Sequence, residues 1–164
     1  MIGINDYRLS IIQRLLGRNN DKETSRCPTL CKALVVRSDS KNLIMARDFS
    51  GQLAHDCGFT ADAVFEIKLA VSEALSNAIL HGSPRGCQGL VRLVFLCDNH
   101  RLNITITDEG AFGHLPRNIN SGSEGGRGLK LIARYVDTFS IMPTAFGTRV
   151  TLVKIRDNND EACA

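Results

Sequence analysis

The sequence predicts an α+β fold, a two-layer sandwich in which helices cover one face of a mixed β-sheet. One observation is the order of hydrophobic patterns: a strand, two helices, a hairpin, an irregular loop, a helix and a closing hairpin. Another is that the clearest helical segments carry their apolar residues on one side, which requires a second layer to bury them.

The first strand and the first helix are predicted near the start of this pattern. Leu30 to Arg37 is rich in β-branched and aliphatic residues, as strands are. Ser40 to His55 has helical spacing, with Ser38 or Ser40 as the predicted cap and Gly58 beyond its end. The predicted apolar positions of this helix are Leu43, Ile44, Ala46, Phe49 and Leu53.

The second helix is predicted to follow a capping Thr60 and to run to about His81. Glycine, serine and proline between Gly82 and Gly86 then predict a loop. The helix has one continuous apolar stripe, formed by Val64, Ile67, Val71, Leu75 and Ala78.

A hairpin is predicted from Leu90 to Cys97 and from Leu102 to Thr107. In its second strand, apolar residues at even positions (102, 104 and 106) alternate with polar ones, so the even positions face the core. Asp108 continues this inward set. Because burying an unpaired carboxylate is costly, its position calls for a partner.

The remaining elements are a helix and a closing hairpin. After an irregular loop from Ala111 to Gly125, Gly128 to Val136 returns to helical spacing. Thr138 to Met142 and Gly147 to Ile155 predict two paired strands. The predicted core-facing residues of the helix are Leu129, Ile132, Ala133 and Val136.

The pattern predicts one domain over residues 27–156, with an extension at 1–26 and a polar tail at 157–164. Tyr7, Ile11, Ile12, Leu15 and Leu16 have helical spacing, so the extension contains either a short amphipathic docking helix or only a frayed end.

Composition excludes several classes of function. Of 164 residues, 43% are hydrophobic and 23% charged, which is typical of a soluble globular protein. Aromatic content of 5% and a net charge of +3 argue against direct nucleic-acid binding. Without a membrane-length apolar run or a signal-peptide pattern, the predicted location is cytoplasmic. Several of the six cysteines lie in apolar patterns, which predicts free, buried thiols. Cys27 and Cys31 lack the second pair that zinc usually needs, so a zinc site is the lesser alternative.

Glu73 and Asn77 are the first candidate site residues. Their spacing puts them on one helix face, a turn apart. Glu73 could take a proton from a hydroxyl group, and Asn77 could offer an oxygen to Mg²⁺. The alternative is a solvated helix face, opposite the apolar stripe.

Asp108, at the end of a predicted strand, is the second candidate. An inward carboxylate there suits a hydrogen bond from an exocyclic amine, and Gly110 and Gly113 allow close approach of a ligand. The alternative is an ordinary Asp-Glu-Gly turn.

Gly125 to Gly128 opens a helix, where backbone N–H groups attract phosphate, and Arg127 or Lys130 could add positive charge. It matches neither the dinucleotide-binding nor the Walker pattern, and the alternative is a flexible loop.

Thr148 shares the inward parity of its strand, so its hydroxyl could enter the same pocket; a turn beside Gly147 is the plain alternative.

Taken together, these segments resemble the motifs of GHKL ATPases, which have the Bergerat ATP-binding fold. Glu73 to Gly82 (EALSNAILHG) resembles the N-box and is similar to its E-A-x-x-N-A-I-x-H-G form in anti-sigma-factor serine/threonine kinases. Asp108-Glu109-Gly110 resembles the first glycine box, Glu124 to Ile132 the second, and Gly147-Thr148 the last. The resemblance covers about residues 30–155.

The resemblance implies that Glu73 is the catalytic base, that Asn77 binds Mg²⁺ and that Asp108 contacts the adenine amine of ATP. It also implies an anti-anti-sigma partner (a STAS-type protein) as the phosphorylated substrate, a sigma factor as the sequestered partner, and a homodimer. The implied cofactor-binding residues are Asn77, His81, Asp108, Gly110, Gly113, Gly126, Arg127, Gly128, Leu129 and Thr148.

The chain departs from the family pattern in three places, one of which is a short lid between the two glycine boxes. The first box usually reads D-x-G-x-G, whereas the second glycine here comes one residue late, at Gly113. Glu124 stands where some members carry a basic residue, which leaves Arg127 as the candidate for the outer phosphate. Two other functions therefore stay open: a non-catalytic protein-sequestration module, and an ATPase domain detached from a histidine kinase.

Overall fold

The computed structural model describes residues 30–110 and 125–156, and for residues 125–127 only the backbone. These ranges contain three helices and five strands. In chain order they are β1 (Leu30–Arg37), α1 (Asn42–Asp56), α2 (Ala61–His81), a 3₁₀ turn (Gly86–Gln88), β2 (Leu90–Cys97), β3 (Arg101–Thr107), α3 (Gly125–Tyr135), β4 (Thr138–Thr144) and β5 (Gly147–Ile155).

The five strands form one sheet in the order β1-β2-β3-β5-β4, with the helices packed on one of its faces. The predicted two-layer α+β sandwich is therefore confirmed. The sheet differs in one detail, because all strand pairs in the described ranges are antiparallel and the prediction was a mixed sheet. The neighbours β1 and β2 are antiparallel although two helices connect them, and β3 and β4, which run parallel to each other, are separated by β5.

The core lies between the helices and the even-numbered residues of β3. Leu102, Ile104 and Ile106 are at most 2% exposed, as their alternation predicts. Phe49 of α1 meets Phe95 of β2 edge to face, with ring centroids 5.5 Å apart. The predicted stripe of α2 is buried from Ile67 to Ala78, with Val64 packed at its margin.

The two helix starts agree with the sequence to different degrees. Thr60 caps α2 as predicted, because its hydroxyl oxygen accepts a hydrogen bond from the N–H of Ala63 at 3.3 Å. At α1 the predicted caps Ser38 and Ser40 are wrong, since the N-cap is Lys41 and no side chain caps the helix. The hydroxyl of Ser38 is buried and accepts a hydrogen bond from the hydroxyl of Ser83 instead.

Two predicted core residues and one helix boundary also differ. Ile44 is 61% exposed and Ala133 is exposed, because each lies at the edge of its helix's apolar stripe and turns away from the sheet. The last helix begins at Gly125, three residues earlier than predicted.

An ion pair and a hydrogen bond of Lys154 hold the C-terminal end of α3. The ammonium of Lys154 lies 2.6 Å from a carboxylate oxygen of Glu66 and 3.3 Å from the carbonyl oxygen of Tyr135, which joins α2, β5 and the last turn of α3.

In the described ranges, no helix has the length and apolar character needed to cross a membrane. The predicted domain boundaries, extension and tail fall outside these ranges and stay predictions.

Candidate functional site

Glu73 and Asn77 lie on the face of α2 that meets the first turn of α3. Both are half-buried rather than part of a solvated face. A Cβ atom built on Gly128 would lie 3.1 Å from Oε2 of Glu73 and 3.5 Å from Nδ2 of Asn77. The structure therefore brings three predicted site residues together, with the glycine-bearing start of α3 directly against the acid and the amide.

Asp108 is buried at the end of β3, on the inward side, as its parity predicts. Its Oδ1 accepts hydrogen bonds from the backbone N–H groups of Gly110 (2.9 Å) and Thr148 (3.0 Å). Within residues 30–110 and 125–156, its Oδ2 has no hydrogen bond. Burial raises the pKa of the Asp108 carboxyl, and the two backbone hydrogen bonds oppose that rise.

Three glycines let other elements reach this carboxyl group. A Cβ atom on Gly82 would overlap Cγ of Asp108, and one on Gly147 would overlap its carbonyl oxygen. A Cβ atom on Gly110 would lie 2.5 Å from Cα of Gly82. Gly147 also has a φ of 150°, which residues with a side chain rarely adopt. The end of α2, the end of β3 and the start of β5 thus meet without side chains between them.

Gly82 is the residue whose role the sequence analysis missed. The sequence pattern predicts the start of a loop at Gly82 and the family resemblance includes it in the N-box, but neither predicts that it packs directly on Asp108. Its position as the last residue of the EALSNAILHG segment was the available signal. Gly82 is five residues beyond Asn77, so the two ends of the site are about 7.5 Å apart along α2.

The neighbouring acid, Glu109, holds the surrounding loop. It forms an ion pair with Arg85 and accepts a hydrogen bond from the N–H of Leu90 at 3.2 Å. The hydrogen bond from Arg85 is the main reason that the pKa of Glu109 is lowered. The loop between α2 and β2, which begins at Gly82, is thereby tied to the end of β3.

Other predicted site residues are placed differently. His81 is exposed, and Leu129 is buried in the core. Thr148 contacts Asp108 through its backbone N–H, where its hydroxyl had been expected to enter the pocket. Lys130 is exposed. Gly126 and Arg127 lie in the first turn of α3, where only the backbone is described, and Gly113 lies outside the described residues.

The fold agrees with a comparison against known families. The family model described as "Histidine kinase-like ATPase domain" matches residues 36–154, from the end of β1 to almost the end of β5. This chain therefore belongs to the histidine kinase-like ATPase domain family.

Within that class, the chain is similar to curated anti-sigma factors. It is 28% identical over 113 residues to the anti-sigma F factor of Bacillus cereus (strain G9842), covering 63% of this chain and 77% of that protein. The anti-sigma F factor of Bacillus thuringiensis (strain Al Hakam) matches over the same length at the same identity.

Two solved structures share the fold. The RsbU and RsbW domains of a Mycobacterium tuberculosis protein match with a TM-score of 0.59 and 19% identity, over 80% of this chain and 34% of that one. The histidine kinase domain of a blue-light activated kinase from Erythrobacter litoralis matches with a TM-score of 0.50 and 20% identity, over 74% and 63% of the two chains. At these identities the likeness concerns the fold alone.

Proposed function

We propose that this chain is an ATP-dependent serine/threonine protein kinase and anti-sigma factor. It phosphorylates a STAS-type anti-anti-sigma partner and sequesters a sigma factor in a partner switch. The observation that carries the proposal is the contact of Gly128 with Glu73 and Asn77, because it places a helix start beside an acid and an amide. The family match and the similarity to anti-sigma F factors support it.

The residues around Asp108 fit the adenine of ATP. One carboxylate oxygen is held by two backbone N–H groups, and the other has no hydrogen bond within the described residues. That second oxygen can accept a hydrogen bond from the exocyclic amine. Gly82 and Gly110 let the backbone pack directly against this carboxyl group, since neither carries a side chain.

The other end of the site fits the phosphates and a hard cation. The backbone N–H groups at the start of α3, including that of Gly126, can bind the phosphates in the way that helix N-termini bind anions. The amide oxygen of Asn77 would hold Mg²⁺, whose charge offsets that of the phosphates. Arg127 is the proposed contact of the outer phosphate.

Glu73 acts as the general base in this proposal. It takes the proton of the acceptor serine or threonine hydroxyl as that oxygen attacks the γ-phosphate. Its half-buried carboxylate lies beside Gly128 at the start of α3, and we expect orientation and electrostatics to supply most of the rate.

The test is transfer of the labelled γ-phosphate of ATP to STAS-type proteins from the same organism. Glu73→Gln should keep ATP affinity within about 3-fold and lower the transfer rate by roughly 100-fold or more. Asp62→Asn, exposed on the same helix, is the matched control and should transfer normally. Undiminished transfer by Glu73→Gln would refute the assignment of the base.

A second candidate is a non-catalytic module that binds nucleotide and sequesters a partner. The displaced glycine of the first box, at Gly113, favours it. Wild-type protein that binds ATP and captures a sigma factor, yet transfers no phosphate to any STAS-type protein, would select this candidate. The proposed homodimer is tested separately, by light scattering of the purified chain.

A further inference from the structure

The side of the sheet that faces away from the three helices, called the outer face below, is apolar over β1 and β2. Leu93 and Phe95 of β2 face the core, so the even-numbered residues of that strand point to the outer face. In β1 the odd-numbered residues do so, since Leu34 and Val36 pack on the core side. The apolar residues that these two strands place on the outer face include Ala33, Val35, Leu90, Val94 and Leu96. A sheet face in contact with water is usually polar, so this composition indicates a face that is covered.

Burial on the outer face is deepest at its centre. Val94 is paired with Thr105 of β3, and the two side chains are 9% and 6% exposed. A cavity of about 200 Å³ lies beside them and is also lined by Val35 and Leu90. Because α1, α2 and α3 pack on the opposite face, none of them accounts for this burial.

The charge of the outer face argues against a second copy of the chain as its cover. A two-fold symmetric contact brings a patch against the same patch of the other copy. Arg92 and Arg149 lie on either side of Thr107 on this face, and in the five described strands no acidic side chain lies there. Self-association through this face would therefore bring like charges together.

The segment before β1 has an apolar side of its own. In residues 7–16 the apolar positions fall on one side of a helix and Ser10 and Gln13 on the other. The apolar positions are Tyr7, Ile11, Ile12, Leu15 and Leu16. A helix this short is not stable alone in water, so it needs a surface on which to bury that side.

The dimensions of the segment match those of the outer face. Ten helical residues are about 15 Å long, and the eight-residue strands β1 and β2 are about 26 Å long. Residues 17–29 connect the predicted helix to Leu30, the first residue of the edge strand β1. Because thirteen residues can span about 40 Å, the helix can reach any point of the outer face.

We propose that residues 7–16 form an amphipathic helix that packs its apolar side on the outer face of the same chain, over Val35 and Val94. The helix completes a third layer and gives the apolar residues of β1 and β2 the cover that their burial requires. While it is docked, this face is closed to a protein partner. Glu73 and Asn77 lie in the helical layer on the other side of the sheet, so the proposal is independent of the proposed kinase activity.

The experiment uses the full chain, which has no tryptophan, with a single tryptophan introduced into the segment. In Leu15→Trp the indole lies on the apolar side of the helix. We expect its fluorescence to be blue-shifted and quenched by acrylamide several-fold less than that of Ser10→Trp, the matched control on the polar side. Equal, strong quenching of both would overturn the proposal. Protection that disappears on dilution, together with dissociation measured by light scattering, would assign the cover to a second copy and would also overturn it.

A second substitution in Leu15→Trp tests which surface the helix covers. Val35→Asp, on the outer face, should raise acrylamide quenching to the level of Ser10→Trp. Ile44→Asp, at a 61% exposed position of α1 in the helical layer, should leave the indole protected. Circular dichroism verifies that each variant is folded, and Leu90→Gln, at a 39% exposed position of the outer face, replaces Val35→Asp if that variant unfolds. Protection that is retained with the outer-face substitution would contradict the proposal.

Thermal unfolding gives a measurement that needs no tryptophan. Ile12→Asp should lower the unfolding temperature by roughly 5 °C, because the carboxylate would be buried without a partner against the apolar strands. Ser10→Asp, on the polar side of the same helix, should change it by less than about 1 °C. Equal unfolding temperatures of the two variants would show that the apolar side of the segment is not buried.

Discussion

At the Asp108 end of the candidate site, the backbones of three elements touch one another, whereas at the Glu73 end two helices meet through the tips of side chains. Gly82 and Gly147 leave no space beside Asp108 even for a methyl group. Gly128 leaves 3.1 Å between a built Cβ atom and the carboxylate of Glu73, which can rotate away. The same helix, α2, therefore has a rigid contact at one end of the site and an adjustable one at the other.

In the proposed function, this difference separates two tasks. A planar base is recognised by fixed hydrogen-bonding groups, so the carboxylate that receives it gains from a backbone that cannot shift. Phosphoryl transfer requires groups that approach the reacting atoms only when both substrates are present. Substitutions at the two ends should accordingly fail in different ways, and the following predictions run from the largest expected effect to the smallest.

Gly147→Ala should destabilise the fold by roughly 3 kcal/mol or more, because the new methyl group overlaps the carbonyl oxygen of Asp108 and the φ of 150° is strained. Urea unfolding followed by circular dichroism measures this. The matched control is Gly86→Ala, at a φ of 55° with nothing within 4 Å of the added atom, which should cost only about 1 kcal/mol. Equal losses of unfolding free energy in the two variants would show that the strained backbone conformation, rather than close packing at Asp108, accounts for the cost of Gly147→Ala.

Asp108→Asn should weaken ATP binding about 100-fold and leave the free energy of unfolding within about 1 kcal/mol. The amide oxygen can still accept the two backbone hydrogen bonds, while an N–H group replaces the oxygen that would face the adenine amine. Calorimetric titration with ATP is the measurement. The neighbouring Glu109→Gln should bind within about 3-fold of wild type, since its carboxylate holds Arg85. Unchanged affinity in Asp108→Asn would remove the adenine assignment.

Gly128→Ala should leave stability unchanged or raise it by up to about 1 kcal/mol, since alanine is the better helix former. The methyl group would displace the Glu73 carboxylate and lower the phosphoryl-transfer rate by roughly 10-fold. Parallel unfolding and transfer assays separate the two effects. A stable variant with full transfer would show that this contact does not position the base.

The smallest expected effect is a pH dependence of stability at the rigid end. Because burial raises the pKa of Asp108, the folded chain keeps its proton at pH values where the unfolded chain has lost it. Its contribution to the free energy of unfolding is present below the unfolded pKa and is lost as pH rises through the folded one. The free energy of unfolding of wild type, measured between about pH 4 and pH 7, should therefore fall relative to that of Asp108→Asn as the pH rises. A difference that is constant with pH would contradict the shift.

Local patterns predicted most of the fold. Thr60 caps its helix, the alternation from Leu102 to Ile106 faces the core, and Asp108 follows it inward. Prediction failed where a distant residue intervened: Ser38 is bonded to Ser83, forty-five positions away, and is therefore unavailable as a cap. The antiparallel order of the sheet likewise depends on how the segments pair, which no single segment encodes.

By itself the sequence determined the type and order of the elements, the one-turn spacing of Glu73 and Asn77 and the inward direction of Asp108, because each follows from the period of a helix or a strand. Only the tertiary structure decided that α3 packs on the polar side of α2 and that Gly82 and Gly147 converge on Asp108. Those contacts join residues that are far apart in the chain, so they exist only once the helices and the sheet have packed into one body.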